Sequence, residues 1–422
     1  MNNEDSLKLA GVIELLLESS SRINEAKPQR YWYPLAMATY GVEEIVEAID
    51  SLCSFRTTMW EKTGEFEQQF SAYQGCEDAV MVNSGSSADL LLSFLLVNRA
   101  NPLLEGGDEI LIPAVTWPTQ IWSPLMAGLE VRLVDVNPET LNIDLDDLER
   151  KLTPKTRALF LVHLLGNPCE MDRVLDLAQR HSLVVLEDCC EALGSAWDGT
   201  KVGNFGLGGA FSFFFSHHMV TMEGGMIACR DCDTADQLRI LRAHGWLRNV
   251  DCQRFDLTGY DVDPRYAFVN WGFNVRPTEL QAGFGLHQLQ KLPVFNERRE
   301  ALASTFFRFV DETPFLSRPK VHPLARPCWF ALPVMVDPGA PFERGEITQY
   351  LEGQGVETRP IVTGNIARHP VASLFEDALS GDYPGGDQVH KFGFYLGLSP
   401  IFSDGHMARL LECFDQFLRR YG

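Results

Sequence analysis

The run Phe211-Ser212-Phe213-Phe214-Phe215-Ser216-His217-His218-Met219-Val220-Thr221-Met222-Glu223-Gly224-Gly225 joins two β-rich stretches, Gly209 to Phe215 and Gly225 to Cys229. Their closeness predicts neighbouring strands, and the Gly pair would let the backbone turn tightly between them. Upstream, strand-like and helix-like runs alternate. Ala79 to Asn83 precedes an apolar helical stretch from Ala88 to Val97, and Asp108 to Val115 and Glu130 to Val136 are further strand candidates. Thr156 to Leu164 precedes a helical Met171 to His181, and Leu183 to Asp188 is again strand-like. Thr234 to His244 is helical by its leucine spacing. Such alternation marks an α/β protein built on a mostly parallel mixed sheet. After about Leu292 the pattern changes: Phe295 to Val310 reads as a long amphipathic helix rich in Arg and Phe, and shorter strand–helix alternation follows among prolines. The expected organisation is an N-terminal helical extension (residues 1–30), a large domain (31–295) and a smaller C-terminal α+β domain (296–422).

A chain of 422 residues is longer than one hydrophobic core usually serves. Its 45% hydrophobic and 22% charged residues are ordinary globular usage and exclude a disordered or fibrous chain. No apolar run approaches the roughly 18 residues that span a bilayer. The N-terminus is acidic ahead of its apolar stretch, the wrong order for an export signal, so a soluble cytoplasmic protein is expected. The net charge of −21 disfavours nucleic acid and anionic membranes as partners. It leaves room for a small anion held by backbone N–H groups at a helix N-terminus. The ten cysteines read as reduced thiols. Cys229 and Cys232 form the only CxxC, too few ligands for a zinc site, and no metal is expected.

Four features fall at the ends of predicted strands, where ligands gather in open α/β sheets. Asn83-Ser84-Gly85-Ser86-Ser87-Ala88 carries N–H groups and hydroxyls suited to a phosphate, although the same pattern caps ordinary helices. Trp117 is either a core indole or a surface on which a flat heteroaromatic ring stacks. Leu186-Glu187-Asp188 ends a very apolar strand, where a carboxylate is costly unless it meets a cation such as a protonated pyridine nitrogen. Ser212 offers one more hydroxyl.

In this order and spacing the four features resemble the sugar aminotransferases of the DegT/StrS family, which bind pyridoxal phosphate on fold type I, the aspartate-aminotransferase-like fold. The resemblance runs from about Tyr33-Pro34-Leu35 to Arg359-Pro360-Ile361-Val362-Thr363-Gly364-Asn365. It implies that Gly85, Ser86 and Ser212 hold the cofactor phosphate, that Trp117 stacks on the ring and that Asp188 pairs with the ring nitrogen. Glu191 joins the cofactor-binding residues. Asn274 would reach the phosphate from the neighbouring subunit of a homodimer, and His244 and Arg248 would touch substrate.

One departure decides the expected chemistry. The family's aminotransferases carry, seven residues before the Gly pair, a Lys that bonds covalently to the cofactor; here that position is His217, and no Lys lies between Lys201 and Lys291. An imidazole cannot form that bond but can move protons. The resemblance then narrows to the deoxysugar 3-dehydratases, supported by the strings SHHMVTMEGG, LRAHGWLRN, FNVRP, VDVNPETLNID, LLGNP and RPIVTGN. It implies noncovalent pyridoxal phosphate and pyridoxamine phosphate, L-glutamate as amine donor, His217 as acid and base, and a nucleotide-linked 4-keto-6-deoxyhexose, GDP-linked and mannose-derived by nearest likeness, as substrate. A related subgroup holds an iron–sulfur cluster through several Cys after the HGW segment. Only Cys252 lies there, so neither a cluster nor a reductase partner is expected. An aminotransferase with another amine carrier and a noncatalytic regulator are the alternatives. His218 reads as a packing residue.

Overall fold

The computed structural model describes residues 3–25, 30–250 and 254–421. Its central element is a seven-stranded sheet of β1 (Asp78–Val82), β2 (Glu109–Pro113), β3 (Glu130–Val134), β4 (Thr156–Val162), β5 (Val184–Asp188), β8 (Gly208–Ser212) and β9 (Gly225–Cys229). The order across the sheet is β1-β9-β8-β5-β4-β2-β3. Only β9 runs against the others, because it pairs antiparallel with both β1 and β8. The strands are apolar almost throughout and nearly all buried, as helices on both faces of a mainly parallel sheet require.

β6 (Ala196–Trp197) and β7 (Thr200–Lys201) form a small antiparallel sheet with β11 (Ala325–Arg326). A third, four-stranded antiparallel sheet has the order β10 (Leu316–Ser317), β12 (Ala331–Val336), β14 (Gly393–Gly397) and β13 (Thr358–Pro360). Thirteen α-helices lie among the described residues. The first four are α1 (Asn3–Glu25), α2 (Val42–Cys53), α3 (Glu61–Gln74) and α4 (Gly85–Leu96), and of these α4 carries residues of the site. No helix among the described residues is long and apolar enough to cross a membrane.

The strand expectations hold to within a few residues, with one correction: the Gly209 to Phe215 run stops being strand at Ser212. The long helix expected to begin at Phe295 begins instead at Glu279 and runs unbroken to Asp311. Thr278 starts it with a capping box, its Oγ1 accepting from the Gln281 N–H while the Gln281 side chain accepts from the Thr278 N–H at 2.7 Å. Gly283, Gly285 and Pro293 obscure the helical signal in the sequence, since each is a poor helix former. Tertiary packing outweighs that: the first half of the helix buries Ala282, Leu286, Leu289 and Leu292 in the core behind β8 and β9. Its second half buries Leu302, Ala303, Phe306, Phe307 and Val310 under the four-stranded sheet. The boundary expected between residues 295 and 296 therefore falls inside a continuous helix.

The Gly pair serves space rather than turning. Neither Gly224 nor Gly225 has a positive φ; the left-handed residue in this segment is Met222, at φ 68°. A Cβ on Gly225 would lie 2.4 Å from the Ser84 carbonyl oxygen. With Gly225 registered against both Val82 and Ser212, its missing side chain lets the turn after β1 close onto the end of β8.

Candidate active site

A cavity of about 520 Å³ opens where β1, β5 and β8 end. Gly85, Ser86, Trp117, Asp188, Glu191, Ser212 and His217, seven of the residues singled out in the sequence, line it together. At its floor, Ser84 caps α4: its Oγ accepts from the Ser87 N–H at 3.1 Å and its carbonyl from the Ala88 N–H. The amides of Gly85 and Ser86 precede the helix's own hydrogen bonds and so are available to an anion. A Cβ on Gly85 would lie 2.6 Å from the Ser212 Cβ and 2.9 Å from the Cys190 Sγ, so only glycine allows this approach. Ser86 Oγ is 3.0 Å from Thr119 Oγ1.

The two acids that end β5 point to opposite sides of the strand, as consecutive strand residues must. Glu187 faces the interior and is fully satisfied. It accepts from the amides of Gly203, Phe205 and Gly206 at 2.7, 2.8 and 2.8 Å, and its Oε2 lies 3.1 Å from His163 Nε2. His163, Glu187 and Cys189 have the proximity of a metal-ligand cluster, yet these hydrogen bonds already occupy the Glu187 oxygens. Asp188 faces the cavity. Its Oδ1 accepts from the Cys190 N–H at 2.9 Å, and no ion pair reaches it among the described residues. Burial raises its pKa. Asp89, from α4, lines the same cavity with Oδ1 unpartnered, and burial together with the Asp188 charge holds it protonated well above the usual carboxylate range.

His217 follows a short turn after β8, its N–H donating to the Phe214 carbonyl at 2.9 Å. Its ring lies 5.1 Å from that of Phe330, and its Nδ1 is buried without a hydrogen-bond partner. Burial, reinforced by the Arg299 guanidinium, lowers its pKa to about 4, so the imidazole is neutral at physiological pH. Glu191 accepts from the Leu165 N–H at 2.8 Å, and burial pushes its carboxyl up to about 7. Trp117 is 57% exposed on the cavity wall, an open ring face rather than a core indole. His218 is buried, 3.0 Å from the Cys328 carbonyl, in a packing position.

The four-stranded sheet and its approaches close the cavity with Phe330, Arg359 and Tyr395, which reasoning from the sequence missed, as it missed Asp89. Arg359 had a signal, since it opens the RPIVTGN string; Phe330 and Tyr395 sit in apolar runs with none. Asn274, His244 and Arg248 do not join this cavity. Asn274 and Arg248 border a separate depression of about 280 Å³ with Trp246 and Arg276, and Asn274 Oδ1 accepts from Arg276 Nε at 2.9 Å. His244 holds a left-handed backbone (φ 64°), its N–H donating to the Phe273 carbonyl at 2.7 Å. Cys229 is buried on β9 and Cys232 is exposed. Cys252 lies outside the described residues.

Residues 39–415 match the DegT/DnrJ/EryC1/StrS aminotransferase family, and the chain belongs to it. It is 36% identical over 370 residues to the GDP-4-keto-6-deoxy-D-mannose 3-dehydratase of Yersinia pseudotuberculosis, spanning 86% of this chain and 93% of that protein. It is 33% identical over 355 residues to the GDP-perosamine synthase of Caulobacter vibrioides, spanning 84% and 89%. The solved structure of the Escherichia coli GDP-4-keto-6-deoxy-D-mannose-3-dehydratase with bound hydrated PLP superposes with a TM-score of 0.86 at 33% identity, covering 91% of this chain and 99% of that one. The architecture is thus the aminotransferase-like α/β fold.

Proposed function

We propose that the chain is a pyridoxal phosphate- and L-glutamate-dependent 3-dehydratase. It converts a nucleotide-linked 4-keto-6-deoxyhexose, GDP-4-keto-6-deoxy-D-mannose by its likeness to the Yersinia protein, into the 4-keto-3,6-dideoxy sugar, with 2-oxoglutarate and ammonia as co-products. The observation that carries this reading is the neutral imidazole of His217 in a cavity lined by no lysine. The lysines that flank it in sequence are engaged elsewhere, Lys201 with the Tyr73 carbonyl and Lys291 with Glu44 at 2.7 Å.

The cavity fits the cofactor. Asp188 is a buried carboxylate that lacks a cation, which a protonated pyridine nitrogen supplies. The Gly85 and Ser86 amides, with the Ser86 and Ser212 hydroxyls, form a phosphate cradle that a Cβ at Gly85 would fill. Trp117 offers its face to the ring, and Glu191 holds its polar edge. When bound, pyridoxamine phosphate supplies the amine that condenses with the sugar's 4-keto group and the ring that takes up electrons.

Each remaining step belongs to a side chain. Asp188 keeps the ring nitrogen protonated. His217, neutral, takes a proton from the cofactor's 4′ carbon and returns it to the departing 3-hydroxyl, which leaves as water. With no tether, the cofactor is held noncovalently by the cradle, Trp117 and Asp188. Asn274 of the partner subunit completes the phosphate site of a cytoplasmic homodimer, and His244 and Arg248 serve the substrate. Residues 31–295 form the cofactor-binding domain, 296–422 the smaller domain and 1–30 an extension. Neither an iron–sulfur cluster nor a reductase takes part, and neither nucleic acid nor membrane is a partner.

The test is direct. Purified protein with pyridoxal phosphate should convert the cofactor to its amine form on adding L-glutamate, read in the absorbance spectrum. It should then release ammonia from a 4-keto-6-deoxy sugar nucleotide, with a product one oxygen lighter by mass spectrometry. An amino sugar as product would make the chain an aminotransferase; no spectral change and no ammonia would make it a noncatalytic binder.

A further inference from the structure

We propose that Arg299 is the positioning residue for His217: it clamps the histidine's backbone and sets a fixed positive charge behind the imidazole, keeping the ring neutral and in one orientation. The proposal rests on the reading of His217 as the proton carrier.

Arg299 projects from the long helix Glu279–Asp311 and is 2% exposed. Its guanidinium reaches three separate segments. It donates to the Phe330 carbonyl at 3.1 Å, to the Leu398 carbonyl, and to the His217 carbonyl at 3.4 Å. Phe330 is also the residue whose ring packs against the imidazole. One side chain therefore fixes both the backbone that carries the imidazole and the ring that orients it. Arg299 Nε has no hydrogen-bond partner, and no carboxylate pairs with the guanidinium among the described residues. A buried arginine without a counter-ion is costly, and structural packing alone would be met as well by an apolar side chain. Burial lowers even the guanidinium's own pKa to about 10.

The imidazole's surroundings agree. A doubly protonated His217 would bury a second N–H at Nδ1, which no acceptor reaches. Behind the ring stand Arg299, the buried His218, whose own pKa burial lowers, and the Cys328 thiol, which burial raises to about 12. On the cavity side are Arg359 and Tyr395 from β13 and β14, and Glu223 from the histidine's own segment. Asp188, Cys190 and Glu191 follow from the end of β5, and Asp89 from α4. Asp89, Cys190 and Tyr395 are kept neutral by burial, and among the described residues no carboxylate of the cavity forms an ion pair with the guanidinium or with the imidazole.

NMR titration of the full chain, labelled at its histidine rings, tests this, with the His217 signal assigned by its loss in His217→Asn. The wild-type ring should titrate near 4, far below the ordinary 6.5. Arg299→Met should move the midpoint up toward the ordinary value, and the acid limb of kcat/KM should move with it. Arg299→Lys keeps the charge but cannot span three carbonyls, so its midpoint should stay low while kcat falls. A wild-type midpoint near 6.5, an unchanged midpoint in Arg299→Met, or a Lys variant that titrates like a free histidine would each overturn the proposal. Should Arg299→Met fail to fold, the wild-type and Lys titrations still decide. The dehydratase reading fails separately, if the wild-type protein with pyridoxal phosphate and L-glutamate releases no ammonia from a 4-keto-6-deoxy sugar nucleotide.

Discussion

An imidazole at the reacting end of the cavity in place of a primary amine sets how this protein responds to pH. In the role proposed for it His217 acts as a base only when unprotonated, and its lowered pKa of about 4 leaves it so across the neutral range. The rate should therefore lose its acid limb only near pH 4 rather than near the ordinary histidine value. His217→Asn should cut ammonia release by roughly two to four orders of magnitude while cofactor affinity, read by fluorescence, holds. His217→Lys should bond the cofactor covalently, visible as a shifted absorbance band that resists dialysis, and lose dehydration. Glu191 gives a stability test in the protein without cofactor. Its carboxyl is raised from 4.5 to about 7, so the stability that the neutral group contributes is full below about pH 4.5 and lost as pH climbs through about 7. Glu191→Gln should remove that loss, a gain of up to about 3 kcal/mol at alkaline pH by urea unfolding. Residues at strand ends were legible because their chemistry is costly without a ligand: a buried Asp188, a Gly85–Ser86 turn and a His217 in a glycine-bounded run announce themselves. Phe330 and Tyr395 were not, since an aromatic side chain in an apolar strand looks the same whether it faces a core or a ligand.

The elements that carry these residues are held by close backbone approach. Gly85→Ala would push a methyl group against the Ser212 Cβ and Cys190 Sγ, displacing the start of α4 from the end of β8. Pyridoxal phosphate should then bind at least tenfold more weakly, measured by fluorescence titration, while the far-ultraviolet circular dichroism stays that of the parent. Strand runs were readable because buried parallel strands are continuously apolar. The first half of the long helix was not, because two glycines and a proline hide a helix that packing against α2 and α3 sustains. Likewise the Gly224–Gly225 pair was legible as a constraint but not as its kind. Sequence alone does not distinguish a glycine needed for a left-handed turn from one needed because the Ser84 carbonyl passes 2.4 Å from its Cβ position.

At the scale of the whole molecule, the proposed homodimer makes a strong prediction. Asn274 lies away from this chain's own cavity, so the phosphate contact proposed for it would have to come from the other subunit. Mixing inactive His217→Asn protein with Asn274→Ala protein under subunit exchange should restore part of the activity, because one of the two sites in a mixed dimer then carries both native residues. Two parental homodimers mixed without exchange should stay at the sum of their separate rates. The net charge of −21 leaves anion recognition to this local construction, and added salt should weaken cofactor binding only modestly, since helix amides act at contact range.

The helix Glu279–Asp311 lies against both the seven-stranded and the four-stranded sheet without a break. Rocking one sheet on the other would have to bend a rod of about 50 Å at 1.5 Å rise per residue, rather than swivel a slack tether. Ligand entry and exit consequently fall to the solvent-facing wall of the cavity, where Trp117 and Phe214 stand exposed.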